Sequence, residues 1–176
     1  LQTIRVEDGR PCHLDLHLDR LAAAAAHFGF PLDRERVRGE LGEALQRCTG
    51  SARARVTVDV RGIVRIDLAS PPATPAGALP VVLAAHAVHA PAAFLRHKTT
   101  RREHYAQFAA DGPGAFDTLL WNERGELTEF TRGNVILELA SGERVTPPLQ
   151  CGLLDGVGRA CELAAGGLRE ALVRID

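Results

Sequence analysis

The single lysine of this chain, Lys98, stands in the run Phe94-Leu95-Arg96-His97-Lys98-Thr99-Thr100-Arg101-Arg102, with four other potentially cationic residues within four positions of it. Like charges and burial both disfavour an ammonium ion and lower its pKa. That is how a lysine becomes a nucleophile able to form a Schiff base at neutral pH. The commoner origin of such a run is a solvated basic patch that binds an anion or nothing, and spacing alone leaves both open. A second block, Leu127-Thr128-Glu129-Phe130-Thr131-Arg132-Gly133-Asn134-Val135-Ile136, puts a carboxylate at the end of one apolar segment and an Asn at the start of the next. The same pattern arises in a polar connection whose Asn ties down the loop. Third, Thr146-Pro147-Pro148-Leu149 leads into Gly152-Leu153-Leu154-Asp155-Gly156-Val157-Gly158-Arg159. Glycines ahead of a helix leave backbone N–H groups at its positive end, a seat for phosphate, although many helices start after glycines.

Strands and helices must hold these blocks, and periodicity predicts most of them. Thr3–Val6 reads as a strand with Asp8-Gly9 as its turn. Asp15–Phe28 reads as a helix, with Leu18, Leu21, Ala22 and Ala25 on one face and an alanine run that favours helix. Asp33 is the predicted N-cap of a second helix whose stripe is Val37, Leu41 and Leu45. Ala54–Val60 and Ile63–Leu68 form a predicted hairpin about Arg61-Gly62. Ser70–Ala76, with three prolines in seven residues, is the linker. Beyond it the expectations are strands at Pro80–Ala85, Asp117–Asn122, Leu127–Phe130, Val135–Leu139 and Leu168–Ile175. A short extended piece is expected at Val145–Leu149, and helices at Thr100–Ala110 and Gly156–Ala165. The expected division is into 1–75, a small α/β lobe, and 76–176, a lobe that carries Lys98.

Composition removes several classes of function. With 45% hydrophobic and 24% charged residues among 176, the chain has an ordinary globular composition. A formal net charge of −1 argues against a dedicated nucleic-acid binder. No apolar run reaches the roughly 18 residues that span a bilayer, and Leu1–Arg10 does not read as a signal peptide. The expected location is therefore the cytoplasm. Cys12, Cys48, Cys151 and Cys161 never form C-x-x-C and are expected as reduced core thiols. His13 and His17 have the spacing of a helical metal pair, but no further ligand group accompanies them, and no metal site is expected. His86, His89 and His97 are expected in the core or in a pocket. Twenty Arg against one Lys, with abundant Ala and Gly, is the mark of a GC-rich coding sequence. No Met occurs anywhere, so Leu1 is expected to lie inside a longer polypeptide or to mark trimmed ends.

The three blocks in this order resemble the class IV aminotransferases, the fold-type IV pyridoxal 5′-phosphate (PLP) enzymes. The segments His17-Leu18-Asp19-Arg20-Leu21 and Thr3-Ile4-Arg5-Val6-Glu7-Asp8-Gly9 add to the match. The wording is most similar to that of the 4-amino-4-deoxychorismate lyases and covers essentially the whole chain. The resemblance implies a two-lobed α/β (α+β) fold, with a small N-terminal α/β lobe and a larger C-terminal mixed-sheet, pseudo-barrel lobe, truncated at both ends relative to the family. It implies PLP as cofactor, with Lys98 as the Schiff-base lysine and proton shuttle. Glu129 would face the pyridine nitrogen, where a negative charge keeps the ring protonated as an electron sink. Arg20 would bind the phosphate through paired donors, and the backbone N–H groups of Val157 and Gly158 would bind it too.

The implied activity is conversion of 4-amino-4-deoxychorismate to 4-aminobenzoate and pyruvate, a step of folate biosynthesis. A branched-chain or D-amino acid aminotransferase of the same family would use the same Lys98 and Glu129. A non-catalytic fragment or fused structural domain of this fold is a further alternative. A small-molecule substrate, a homodimer and a fused or partnering aminodeoxychorismate synthase are implied as associations, and nucleic acid and membrane are not. The chain also departs from the family. Gly158 stands where many relatives have Thr, Arg101 where many have Asn, and Glu103 where some have a cofactor-contacting Tyr. The only tyrosine, Tyr105, lies seven residues after Lys98. The family pattern continues past the strand matching Leu168–Ile175, with a further phosphate-side Ser or Thr expected beyond Asp176.

Overall fold

A computed structural model describes residues 1–108 and 114–176. The chain divides into two compact units, Leu1–Thr74 and Pro75–Asp176. Among the described residues no helix is long and apolar enough to cross a membrane.

In the N-terminal unit the strands β1 (Gln2–Glu7), β2 (Arg10–Pro11), β3 (Ala52–Val58) and β4 (Val64–Ala69) form an antiparallel sheet in the order β2-β1-β3-β4. Period-two alternation turns Gln2, Ile4 and Val6 of β1, and Ala52, Ala54 and Val56 of β3, to one face. Two helices, α1 (Leu14–Phe28) and α2 (Arg34–Leu45), cover that face with Leu18 and Leu21, and with Val37, Leu41 and Leu45. Asp33 caps α2 by accepting a hydrogen bond from Arg36 N–H at 3.0 Å. The β3–β4 turn needs its glycine for space as well as for φ. A Cβ on Gly62, at φ 76°, would lie 2.8 Å from the Pro31 carbonyl oxygen.

In the C-terminal unit, β5 (Val81–Leu83) runs parallel to β6 (Asp117–Trp121), which pairs antiparallel with β7 (Leu127–Phe130). A second sheet joins β8 (Leu137–Glu138), β9 (Arg144–Thr146) and β10 (Arg169–Glu170), with β10 parallel to β9. The helices are α3 (Ala92–Arg96), α4 (Glu103–Ala106) and α5 (Val157–Ala164), and a 3-10 turn covers Leu149–Cys151. Ala84, Val88, Tyr105, Phe108 and Leu120 form its apolar centre. Asn122 fixes the β6–β7 turn: its Oδ1 accepts from Arg124 N–H at 2.9 Å and Glu126 N–H at 3.1 Å, while its Nδ2 donates to the Cys151 carbonyl at 2.9 Å.

The mixed α/β architecture is the one the sequence implied, with instructive differences. The helix predicted at Thr100–Ala110 is the single turn α4, and residues 109 and 110 lie outside the described residues. The strand predicted over Leu168–Ile175 is ladder only at Arg169–Glu170, because the segment changes partner. Ala171 N–H donates to the Thr146 carbonyl, and the Val173 carbonyl then accepts from Leu127 N–H. His13 is not on α1 but at its N-cap, in left-handed backbone at φ 52°. His86 and His89 are exposed, His89 pairing with Glu123 at 2.8 Å, and only Cys151 of the four cysteines is fully buried. Surface partners and half-covered edges suffice for these polar or small side chains.

Leu41 is completely buried between α2 and the sheet. Leu41→Ala is expected to destabilise the protein by about 2–5 kcal/mol through lost burial and a residual cavity, seen as a lower urea midpoint at unchanged slope.

Candidate functional site

Lys98 follows α3 directly, past His97, whose extended backbone ends that helix. The half-buried lysine lines a small open cleft. Phe94, Leu95 and Leu154 form its apolar wall, and His97, Arg101, Arg102 and Tyr105 its polar one.

Behind Tyr105 lies Glu129, on β7 and 4% exposed. Its Oε1 accepts a hydrogen bond from the Tyr105 hydroxyl at 2.7 Å. Its Oε2 accepts from Asn134 Nδ2 at 3.1 Å and from Leu154 N–H at 3.3 Å. Burial pushes the Glu129 carboxyl up to about 7, against the lowering effect of the Tyr105 and Leu154 hydrogen bonds and of the Lys98 and Arg102 charges. Burial, and then the nearby Glu129 charge, hold the Tyr105 phenol well above its ordinary range. Arg102 sets the ring from the other side. Its guanidinium carbon is 4.7 Å from the Tyr105 ring centre, and it also donates to the Thr131 carbonyl.

Asn134 links the blocks. A tight turn, closed by Phe130 N–H on the Gly133 carbonyl at 2.8 Å, brings it opposite Glu129. Its Nδ2 also donates to the Leu154 carbonyl at 2.8 Å. A Cβ on Gly156 would lie 1.8 Å from Asn134 Oδ1, so only glycine fits there. Gly156 is also the N-cap of α5 and offers no side-chain cap, which leaves the first N–H groups, those of Val157 and Gly158, without that partner. Space is open in front of Gly158, where an added Cβ would meet nothing within 4 Å. Arg159 anchors this helix start from within. It is 5% exposed, donates to the Pro147 carbonyl at 3.0 Å and pairs with Glu170.

Lys98, Glu129, Val157 and Gly158 therefore belong to one unit, where the Tyr105 and Asn134 contacts connect their surroundings. Arg20 belongs to the N-terminal unit, on α1. There its Nε and Nη2 donate to Gln2 Oε1 at 3.1 and 2.6 Å, and His17 Nδ1 lies 3.1 Å from the same oxygen. Sequence reasoning left two participants without a role, Tyr105 and Gly156. Tyr105 reaches Glu129 from α4, 24 positions earlier in the chain. The steric demand on Gly156 comes from a side chain 22 positions away.

The profile of the class IV aminotransferases matches residues 1–170. Among solved structures, a candidate amino-acid aminotransferase from Mesorhizobium loti is 33% identical, with a TM-score of 0.88 over 99% of this chain and 86% of that one. The 4-amino-4-deoxychorismate lyase from Pseudomonas aeruginosa is 24% identical, with a TM-score of 0.76 over 99% and 73%. A branched-chain aminotransferase from the archaeon Thermoproteus uzoniensis, solved with norvaline, is 18% identical, with a TM-score of 0.82 over 99% and 68%. No curated protein matches in sequence. The chain belongs to the class IV aminotransferase family, whose members use PLP, and it has their fold.

Two outcomes test this geometry. Gly156→Ala is expected to push Asn134 off Glu129 and destabilise the protein by about 1–3 kcal/mol, whereas Gly158→Ala should stay within about 1 kcal/mol of the parent. Paired thermal melts of the two variants compare them. The second outcome concerns pH. A carboxyl whose pKa is raised on folding stabilises the folded state below its ordinary value of 4.5, and that stability is lost as pH rises through about 7. Across this window stability should fall by at most ~1.4 kcal/mol per pH unit from this group. Glu129→Gln should remove that slope in urea titrations between pH 4.5 and 8.

Proposed function

We propose that this chain is a PLP-dependent lyase that converts 4-amino-4-deoxychorismate to 4-aminobenzoate and pyruvate. The observation that carries the reading is a lysine-lined cleft backed by a buried, fully hydrogen-bonded carboxyl. The donor set fits PLP. Lys98 supplies an amine for the aldehyde, Glu129 an acceptor for the ring N–H, and Val157 and Gly158 backbone donors for phosphate at a helix start. On the N-terminal unit, Arg20 is the proposed phosphate-binding guanidinium. When bound, PLP supplies a carbonyl that exchanges amines and a ring that takes up the electron pair left at the amine-bearing carbon.

The residues then divide the work. Glu129 Oε2 and Oε1 are each held by a donor, so the carboxylate keeps one orientation, in which it would meet the ring nitrogen. Its negative charge keeps that nitrogen protonated. Lys98 Nζ would serve as the general base for the proton on the amine-bearing carbon. Phe94, Leu95 and Leu154 keep water from the reacting face. Loss of the enolpyruvyl group makes the product ring aromatic, so the elimination is strongly downhill. The protein need only place and deprotonate the substrate.

The 33% identity to a candidate amino-acid aminotransferase supports a second reading. In it Lys98 Nζ would move the same proton, and the product would be an oxoacid, as from branched-chain or D-amino acids. A homodimer is proposed for either reading.

Borohydride reduction of PLP-loaded protein, followed by peptide mapping, is expected to place a pyridoxyl group on Lys98, the only lysine. Its absence there sinks the cofactor assignment. Release of pyruvate together with 4-aminobenzoate, and no oxoacid from amino acids, is expected of the lyase. The opposite product pattern selects the aminotransferase.

A further inference from the structure

The two oxygens of the Glu129 carboxyl have unequal commitments. Oε2 accepts from Asn134 Nδ2 at 3.1 Å and from the Leu154 amide at 3.3 Å, and Asn134 also donates to the Leu154 carbonyl at 2.8 Å. That oxygen is tied into the framework. Oε1 accepts from the Tyr105 hydroxyl at 2.7 Å and from no other described residue. A carboxylate oxygen has room for about two hydrogen bonds, so Oε2 is filled and Oε1 has one place left.

Tyr105 is the one described residue whose side chain both lines the Lys98 cleft and bonds to Glu129. Its ring is held independently of that bond. It packs with Ala84, Val88, Phe108 and Leu120, and the Arg102 guanidinium carbon lies 4.7 Å from its centre. A packed phenol with one O–H to give fixes the oxygen that it bonds. The donated hydrogen bond also favours the carboxylate over the neutral acid. The phenol itself stays protonated, since burial and the Glu129 charge hold it well above its ordinary range. The other charged groups that act on Glu129 are Lys98 and Arg102, and loss of the hydroxyl alone leaves both in place.

We propose that Tyr105 is a positioning residue of this site. Its hydroxyl pins Glu129 Oε1 and keeps the carboxyl ionised, and the second place on Oε1 receives a cationic ring N–H. The ring part rests on the PLP reading, and the carboxyl part does not.

Tyr105 is the only tyrosine, so incorporation of 3-fluorotyrosine puts a single fluorine beside Glu129. In unliganded protein its resonance is expected to move through a step centred near pH 7, where Glu129 ionises, and to lose that step in Glu129→Gln. His104, whose ring centre is 4.0 Å from that of Tyr105, is held below its ordinary range by burial, and its own titration persists in Glu129→Gln. Tyr105→Phe tests the same bond through stability. Without the hydroxyl the folded-state pKa of Glu129 rises further, so the stability present at low pH is lost over a window about one pH unit higher. The deficit of Tyr105→Phe in urea midpoint should therefore grow from about pH 5 to about pH 9, and stay constant in the Glu129→Gln background. PLP loading should abolish the fluorine step, and PLP should bind Tyr105→Phe about tenfold more weakly, the counterpart of one pH unit.

The same step in the parent and in Glu129→Gln overturns the proposal, as does a Tyr105→Phe deficit that is equal at both ends of the pH range. In either case the tyrosine only packs. A fluorine step that survives in protein carrying the Lys98 adduct overturns the ring part, as does unchanged PLP affinity in Tyr105→Phe. Failure of the parent to form that adduct sinks the PLP reading instead, and the titrations of the unliganded protein can still be read.

Discussion

A carboxyl taken out of water must find a hydrogen bond for each oxygen or become a liability of several kcal/mol. Glu129 meets that demand with three donors from three different stretches of chain: Tyr105 on α4, Asn134 past β7 and the Leu154 amide ahead of α5. Much of the C-terminal unit's layout follows. The turn after β7 must be tight enough to return Asn134 to Glu129. The Leu154 loop must come alongside, and Gly156 must be bare where Asn134 crosses it. A polar group that must be satisfied thus dictates the path of apolar segments. Burial still pushes the carboxyl up to about 7, its donors offsetting that only in part.

The N-terminal unit solves a related problem differently. Gln2 is buried at the start of β1, and its single side-chain oxygen faces both Arg20 and His17. The neutral amide oxygen takes two donors of the Arg20 guanidinium and so fixes its orientation. The amide nitrogen of Gln2, buried with no partner, is the price of that arrangement.

Much of the framework was legible because water acts on one face at a time. Alternation marked β1 and β3, the spacing of Val37, Leu41 and Leu45 marked α2, and Asp33 marked its cap. The order of the Lys98, Glu129 and Gly156–Arg159 blocks was legible as a family pattern, which the profile match bears out at the level of the family. The roles of individual residues within it stay proposals. What periodicity does not carry is any contact made at long range by a polar side chain. The Tyr105–Glu129 bond spans 24 positions, and nothing local to either residue announces it. For the same reason the segment 168–175 read as one strand. The change of neighbours along it leaves no local mark in the sequence.

That change of neighbour has a consequence for how the unit is made. The Ala171 amide bonds to Thr146 at the end of β9, while the Val173 carbonyl and the Ile175 amide bond to Leu127 and Gly125 around the β6–β7 turn. One short stretch therefore stitches the two sheets together, across sequence separations of 25 to 50 residues. As the chain leaves the ribosome, each sheet can begin to pair before that stretch exists, but the joint between them has to wait for it. Contacts of such long loop are entropically slow to close.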